Sequence, residues 1–295
     1  MLCFHGTTDF SADRPAAVTL GKFDGMHRGH RKLFSRILAR RDEMSVIFSL
    51  NARPGEVLYT ADEQKLIAQE LGFDCLIQCP FVPEISGMSP DEFAGRILRD
   101  RLQTRYLAVG TDFRFGRGRS GDTAFLQRSA DRYGYSLEVV EKERYGDREI
   151  SSTFVREELE KGRMELVADL LGRPFFLLGT VVEGRRLGRT LGVPTINIAP
   201  PKEKLLPPFG VYMSRTRIDG VWYNGITDIG RKPTVGEFAR GAETHLFGAE
   251  GDLYGKEALT ELLSFSRPEI RFDSLDALRA QLAADIASGK EFFGE

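Results

Sequence analysis

The chain has 295 residues, a formal net charge of −2, 41% hydrophobic residues and 28% charged ones. This balance is ordinary for a soluble globular protein and gives no general attraction to nucleic acid or an anionic membrane, so neither is expected as a partner. The length admits two cores. The apolar runs, such as Pro174 to Leu178, are far too short to span a bilayer. Met1-Leu-Cys-Phe-His lacks the basic and apolar regions of a secretory signal, and Cys3, Cys75 and Cys79 have no Cys-x-x-Cys spacing. Neither a disulfide framework nor structural zinc is expected, and cytoplasm is the expected compartment.

Residues 16–170 alternate between strand-like and helix-like segments. In chain order the pattern predicts strand Ala16–Leu20, helix Gly29–Arg41, strand Met44–Leu50, helix Ala61–Leu71, strand Cys75–Gln78 and helix Pro90–Leu102. Strand Tyr106–Val109, helix Thr123–Tyr133, strand Leu137–Val140 and helices Thr153–Lys161 and Met164–Leu171 follow. Ser89-Pro-Asp-Glu92 reads as a capping box with proline at the first helical position. Such alternation implies a parallel sheet with helices on both faces and ligands at the C-terminal ends of its strands. Near Arg173-Pro174 the pattern changes. Strands Phe176–Glu183, Val211–Ile218, Val221–Asp228, Glu243–Phe247 and Ala258–Phe265 follow without intervening helices, as in a closed or nearly closed antiparallel barrel. A helix over Ser274–Ser288 is expected to cover one barrel opening. The expected domains are residues 1–173 and 174–295.

Four segments carry the chemistry. Thr19-Leu-Gly-Lys-Phe-Asp-Gly-Met-His-Arg-Gly-His30 holds two of the four histidines and joins a strand to a helix start. Backbone N–H groups there have no intrahelical partner, and the dipole end is positive, so the turn suits phosphate. His27 and His30, three apart, can face one bound group. Val109-Gly-Thr-Asp-Phe-Arg-Phe-Gly-Arg-Gly-Arg-Ser-Gly-Asp122 combines glycines with arginines, which offer forked donors to phosphate; a mobile, solvated loop would read the same way. Ile150-Ser-Ser-Thr-Phe-Val-Arg156 opens a helix with hydroxyls, either as a second phosphate site or as an ordinary cap. In Gly184-Arg-Arg-Leu-Gly-Arg-Thr-Leu-Gly-Val-Pro-Thr-Ile-Asn197, Thr195 and Asn197 alternate and would face the same side of an extended segment. Hard oxygen ligands of this kind suit Mg²⁺.

The first three segments, in order, resemble the adenylyltransferase module of the bacterial bifunctional riboflavin kinase/FAD synthetases. The fourth resembles their kinase signature. Pro207-Pro-Phe-Gly-Val-Tyr212, Asp228-Ile-Gly-Arg-Lys-Pro-Thr234, Glu243-Thr-His245, Gly251-Asp-Leu-Tyr-Gly255 and the Phe265–Leu275 segment look like further kinase segments. The resemblance implies a Rossmann-like, doubly wound nucleotidyltransferase domain followed by a riboflavin kinase barrel. It implies riboflavin, FMN and ATP as substrates with Mg²⁺ as cofactor; no protein partner is implied. Residue by residue it points to His27 and His30 as catalytic in the first module, and to Gly21, Phe23, Asp24, Gly25, Gly29, Ser152, Thr153 and Arg156 for ATP and its phosphates there. Asp112, Phe113, Arg114, Phe115 and Gly116 form its FMN loop. For the kinase it points to Gly188, Arg189, Gly192, Thr195 and Asn197 for ATP and Mg²⁺, to Glu243 as base and to Arg267 near the flavin. Two departures stand out. Asn51-Ala-Arg-Pro54 replaces a Pro-His-Pro segment, with Arg53 as an alternative phosphate donor. Asp228 stands where asparagine is expected, open to pairing with Arg231 or Lys232. A kinase with a weakened adenylyltransferase, an adenylyltransferase for another phosphate ester and a flavin-binding module without turnover remain open alternatives at this point.

Overall fold

The computed structural model describes residues 1–51, 55–183, 193–234 and 237–295, with the backbone alone at residues 51, 231–234 and 237–239. By its internal contacts the chain forms two units, Met1–Ser152 and Thr153–Glu295.

The first unit is built on a six-stranded parallel sheet. Its strands are β1 (Leu2–His5), β2 (Ala16–Gly21), β3 (Met44–Asn51), β4 (Cys75–Pro80), β5 (Thr104–Gly110) and β8 (Ser136–Val140), in the order β1-β4-β3-β2-β5-β8. Strand β2 is buried along residues 16–20 and β4 along 75–79, as parallel strands covered on both faces must be. Helices α1 (Arg28–Leu38), α2 (Ala61–Glu70), α3 (Pro83–Ser86), α4 (Pro90–Glu92) and α5 (Thr123–Tyr133) connect them. The capping box forms as expected: Ser89 Oγ accepts from Glu92 N at 3.2 Å and Glu92 Oε2 from Ser89 N at 2.8 Å. Beyond it, the single α-helix expected to Leu102 widens into π-helical turns over Phe93–Arg101, with Phe93, Ala94, Ile97 and Leu98 all buried. The strand order reverses between β2 and β5. The turn after β2 and the loop after β5 therefore leave adjacent strands at the sheet's switch point, where such folds bind ligands.

Helix α6 (Ser152–Glu160) begins at the last residue of the first unit and continues into the second, where α7 (Met164–Leu171) follows and packs on the barrel strands β11 and β16. The barrel is closed, in the order β11-β12-β15-β14-β13-β16. Its strands are β11 (Phe175–Val182), β12 (Ile196–Ile198), β13 (Gly210–Ile218), β14 (Val221–Thr234), β15 (Glu237–Leu246) and β16 (Glu257–Pro268). Inside, buried hydroxyls satisfy one another: Thr227 donates to Ser214 at 2.8 Å and lies 2.8 Å from the Thr244 hydroxyl, and Thr216 lies 3.0 Å from Thr260. Alternate residues face outward. Val211, Met213, Ile226 and Phe247 form an apolar stripe there, against which Ile286 and Phe293 of the last helix, α8 (Leu275–Phe293), pack. The expected cover over a barrel opening is thus corrected. Helix α8 follows the apolar stripe along the outer wall, and it extends past Ser288 to Phe293. Its cap is the expected one, with Ser274 Oγ accepting from Ala277 N at 3.1 Å.

Candidate functional site

The turn after β2 is held in a conformation few residues adopt. Phe23, Gly25 and Met26 have φ of 46°, 82° and 41°. A Cβ at Gly21 would lie 2.9 Å from the Phe23 ring, so only glycine fits beneath it. Asp24 Oδ1 accepts from Leu58 N at 2.8 Å, tying the turn to the segment before α2, and Ser152 Oγ donates to the Asp24 carbonyl at 2.8 Å. The first and third sequence segments therefore meet. His27 is the N-cap residue of α1, with a side chain that makes no cap bond, so the helix start keeps its outward-pointing N–H groups. The His27 and His30 rings stack, centroids 3.6 Å apart, with Phe23 edge-on to His30 at 5.2 Å. A Cβ on Gly29 would sit 3.1 Å from His27 Nδ1, so this glycine lets the imidazole lie against the helix.

His27 is 5% exposed, and Nδ1 of both rings is shut off from solvent without a hydrogen-bond partner among the described residues. Burial lowers the His27 pKa to about 4; burial, and then the charge of His27, push His30 well below the ordinary value. Both imidazoles are neutral at physiological pH and act as hydrogen-bond donors or acceptors rather than cations. Between about pH 6.5 and 4 the unfolded chain takes up a proton that folded His27 refuses, so this stability, full above 6.5, is lost as pH falls. Its fullest size is about 3 kcal/mol. Melting temperatures at pH 7.5 and 5 should show a smaller acid-induced drop in His27→Gln than in the parent chain; equal drops would contradict the burial argument.

The loop after β5 has regular structure, although Asp112, Arg114 and residues 117–120 are exposed. Its short strands β6 (Arg114–Phe115) and β7 (Gly121–Asp122) pair. Phe115 is buried beside Phe93, stacks on Phe113 at 5.6 Å, and would meet any Cβ on Gly121 at 2.6 Å. Gly116, at φ 72°, turns the chain against Pro90. Arg114 pairs with Asp122 at 3.0 Å and Asp112 with Lys142 at 2.9 Å. Phe115 and Gly116 thus shape the loop, while Asp112 and Arg114 are charges already held in place. Thr153, exposed, and Arg156, half-buried, fall in the second unit, on α6.

In the barrel, register brings distant segments into one row. Asn197 pairs with Glu243, Glu243 with Asp228, Asp228 with Val211 and Val211 with Arg267. The row faces outward, opposite the buried hydroxyls. Thr195 Oγ1 donates to Glu243 Oε1 at 2.7 Å, and His245 Nδ1 donates to the Pro194 carbonyl at 2.8 Å, fixing the segment that carries Thr195. Two cavities flank Thr195. One, of about 590 Å³, lies between the barrel wall and α8 and is lined by Asp228, Glu243, His245, Arg267, Leu278 and Asp285 among others. The other, of about 420 Å³, is lined by Glu183, Thr195, Asn197 and the 251–254 segment. Thr195 borders both, so two ligands bound there would meet at Thr195, which donates to Glu243 in the larger cavity. Gly188, Arg189 and Gly192, together with Arg53 and the Arg231 and Lys232 side chains, lie outside what the structure describes.

Arg267 has a partner that sequence reasoning missed. Its Nε donates to Asp285 Oδ1 at 2.8 Å, its Nη2 to the other carboxylate oxygen, and its Nη1 to the Pro268 carbonyl at 2.9 Å. Gln281 Nε2 also donates to Asp285 at 2.9 Å. Hydrogen bonding to Asp285 raises the Arg267 pKa. Asp285 is 4% exposed, and the pair clamps α8 to β16 beside the larger cavity. In sequence, Asp285 reads as one more polar residue of an amphipathic helix; nothing local marks it. Asp285→Ala leaves a mostly buried guanidinium without its counter-charge and should cost about 3–5 kcal/mol. Denaturant unfolding tests this, and an unchanged midpoint would show the clamp to be dispensable.

Comparison with known proteins covers both units. Residues 9–154 match the family described as FAD synthetase, and residues 171–293 match riboflavin kinase. The bifunctional riboflavin kinase/FMN adenylyltransferase of Escherichia coli K12 is 35% identical over 293 residues, covering 94% of this chain and 92% of its own. That of Pseudomonas fluorescens is 35% identical over 289 residues, covering 94% and 93%. That of Listeria monocytogenes is 30% identical over 303 residues, covering 98% and 96%. A crystal structure described as a macrolide-efflux protein from Streptococcus pneumoniae superposes with a TM-score of 0.83 at 26% identity, over 96% of both chains. Among the described residues no helix is long and apolar enough to cross a membrane. With relatives that match along nearly its whole length, and a family match in each half, the chain belongs to the bifunctional riboflavin kinase/FMN adenylyltransferases.

Proposed function

We propose that the chain runs its family's two reactions at two separate sites. Riboflavin is phosphorylated by ATP on the barrel wall around Glu243, and FMN is adenylylated by ATP at the His27/His30 turn. Domain limits of 1–173 and 174–295 are proposed with it, and cytoplasm as the compartment, consistent with the free thiols Cys3, Cys75 and Cys79. The observation that carries the kinase assignment is the Thr195–Glu243 hydrogen bond at the junction of two cavities.

At the barrel, the riboflavin 5′-hydroxyl attacks the γ-phosphorus of ATP. The O–P bond forms, the bond to the bridging oxygen of ADP breaks, and the hydroxyl proton passes to the Glu243 carboxylate. The larger cavity, with its apolar lining from Val211, Ile226, Leu278 and Leu282, suits an isoalloxazine ring; the smaller one takes the nucleotide. Thr195 and Asn197 offer a hydroxyl and a carboxamide oxygen next to Glu243, a hard donor set that fits Mg²⁺ with water and phosphate completing its shell. When bound, Mg²⁺ supplies charge neutralisation on the phosphates.

At the first site the nucleophile is an FMN phosphate oxygen, already an anion, so no base is required. It attacks the α-phosphorus of ATP, and pyrophosphate leaves with the electron pair of the broken bond. Catalysis rests on alignment and on donors for the developing charge. The neutral imidazoles and the N–H groups opening α1 supply those donors.

Purified protein incubated with riboflavin, ATP and Mg²⁺, with flavins separated by chromatography over time, tests the proposal. FMN should appear first and FAD should follow. FMN without FAD would leave only the kinase half standing; riboflavin left unconverted would overturn the kinase half, and FMN supplied directly but not converted to FAD would overturn the other.

A further inference from the structure

Arg31 stands on the first turn of α1, an 11-residue helix, with its N–H donating to the His27 carbonyl at 3.0 Å. Its Nε is shut off from solvent and has no hydrogen-bond partner among the described residues. Nearby arginines are satisfied: Arg28 pairs with Glu143 at 3.0 Å, Arg36 with Glu138 at 3.0 Å and Arg40 with Glu43 at 3.2 Å. Arg31 forms no ion pair among the described residues, and residues 52–54 of its unit contain no carboxylate. Burial lowers its pKa, and the phenol of buried Tyr59 raises it in part. A partly desolvated guanidinium without a counter-charge is costly, and the cost is recovered when an anion binds. A second group at the same turn points the same way, since His27 is 5% exposed and its Nδ1 lacks a partner.

The position selects which anion. Tyr59 lies in the segment between β3 and α2, pinned to the turn through Leu58 and Asp24. The Tyr59 phenol acts on Arg31, and Arg31 stands on the helix that opens at the histidine turn. The loop carrying Asp112 and Arg114 follows β5, on the other side of β2. An in-line displacement needs nucleophile and leaving group on opposite sides of the α-phosphorus, and Arg31 belongs to the helix that opens at the histidine turn, not to the FMN loop.

We propose that Arg31 binds the pyrophosphate portion of ATP, the β- and γ-phosphates in the forward direction and inorganic pyrophosphate in reverse. This rests on the adenylyl-transfer reading of the first site. The guanidinium fork grips a terminal phosphate in a way that lysine's single ammonium reproduces only in part.

The test uses the full chain and the Arg31→Gln and Arg31→Lys variants. FAD formation from FMN and ATP is measured, along with the reverse reaction of FAD with pyrophosphate. In Arg31→Gln the KM for ATP and for pyrophosphate should each rise at least tenfold, while those for FMN and FAD stay within twofold and riboflavin phosphorylation is unchanged. Arg31→Lys should recover part of the loss. Unchanged ATP and pyrophosphate KM values would overturn the proposal, and so would an effect confined to FMN and FAD. A merely structural role would lower the melting temperature without this split. Calorimetric titration with inorganic pyrophosphate decides the point without turnover. If the parent chain binds pyrophosphate through Arg31 but makes no FAD, the adenylyl-transfer reading fails and the Arg31 assignment stands. Equal pyrophosphate affinity in parent and Arg31→Gln sinks the assignment whatever the turnover.

Discussion

Glu243→Gln should lower FMN formation from riboflavin by about 10²- to 10⁴-fold, the usual contribution of a positioned general base. FAD formation from supplied FMN should be unchanged. The geometry gives the reason. Glu243 is in register with Asn197, accepts from Thr195 at 2.7 Å and lines the cavity between the barrel wall and α8. Glutamine keeps the volume and still accepts the Thr195 hydrogen bond, so what it removes is the capacity to take the proton. A chain that phosphorylates riboflavin at the parent rate would show that Glu243 only orders Thr195. Steady-state rates with each flavin supplied separately, alongside a melting curve, measure both halves of the prediction.

His30→Ala should do the reverse. FAD formation from FMN and ATP falls by about 10²- to 10³-fold, the loss typical of one removed donor to a developing oxyanion, and FMN formation persists. His30 stacks on His27 and lies edge-on to Phe23 within a turn whose left-handed residues have little freedom to rearrange. Truncating it also opens space beside Phe34, so some loss of melting temperature is expected in the first unit. The decisive comparison is between the two activities of the same sample. Equal loss of both would mean that the sites are not independent.

Much of this arrangement was legible in the sequence because the relevant signals are local. Continuous apolar runs marked β2 and β4 as buried parallel strands, Ser89 and Glu92 announced their helix start, and the Gly-Lys-Phe-Asp-Gly turn stood between a strand and a helix pattern. What escaped depends on long-range pairing. Strand β1 is four residues, largely exposed, and exists because β4 offers it an edge. Strand β12 has three residues next to a glycine-rich stretch and is defined by its partners β11 and β15. The path of α8 was misjudged because the barrel interior holds hydroxyls such as Ser214, Thr216 and Thr227, so the apolar stripe on the same strands does not by itself reveal that it lies outside. Val211, Met213 and Ile226 proved to be the outer one. The row from Asn197 through Glu243 and Asp228 to Arg267 spans 70 positions of sequence and is joined only by register. Asp285 acquires its meaning from Arg267 across the fold.

The central claim is that one chain carries two separable active sites. Mixing the Glu243→Gln and His30→Ala proteins with riboflavin, ATP and Mg²⁺ tests it most directly. Each variant alone should make no FAD from riboflavin on the timescale of the parent. The mixture should make it, because FMN formed on the intact barrel of one molecule reaches the intact histidine turn of the other. FMN accumulating in the mixture without conversion to FAD, while the Glu243→Gln protein alone converts added FMN, would contradict the account.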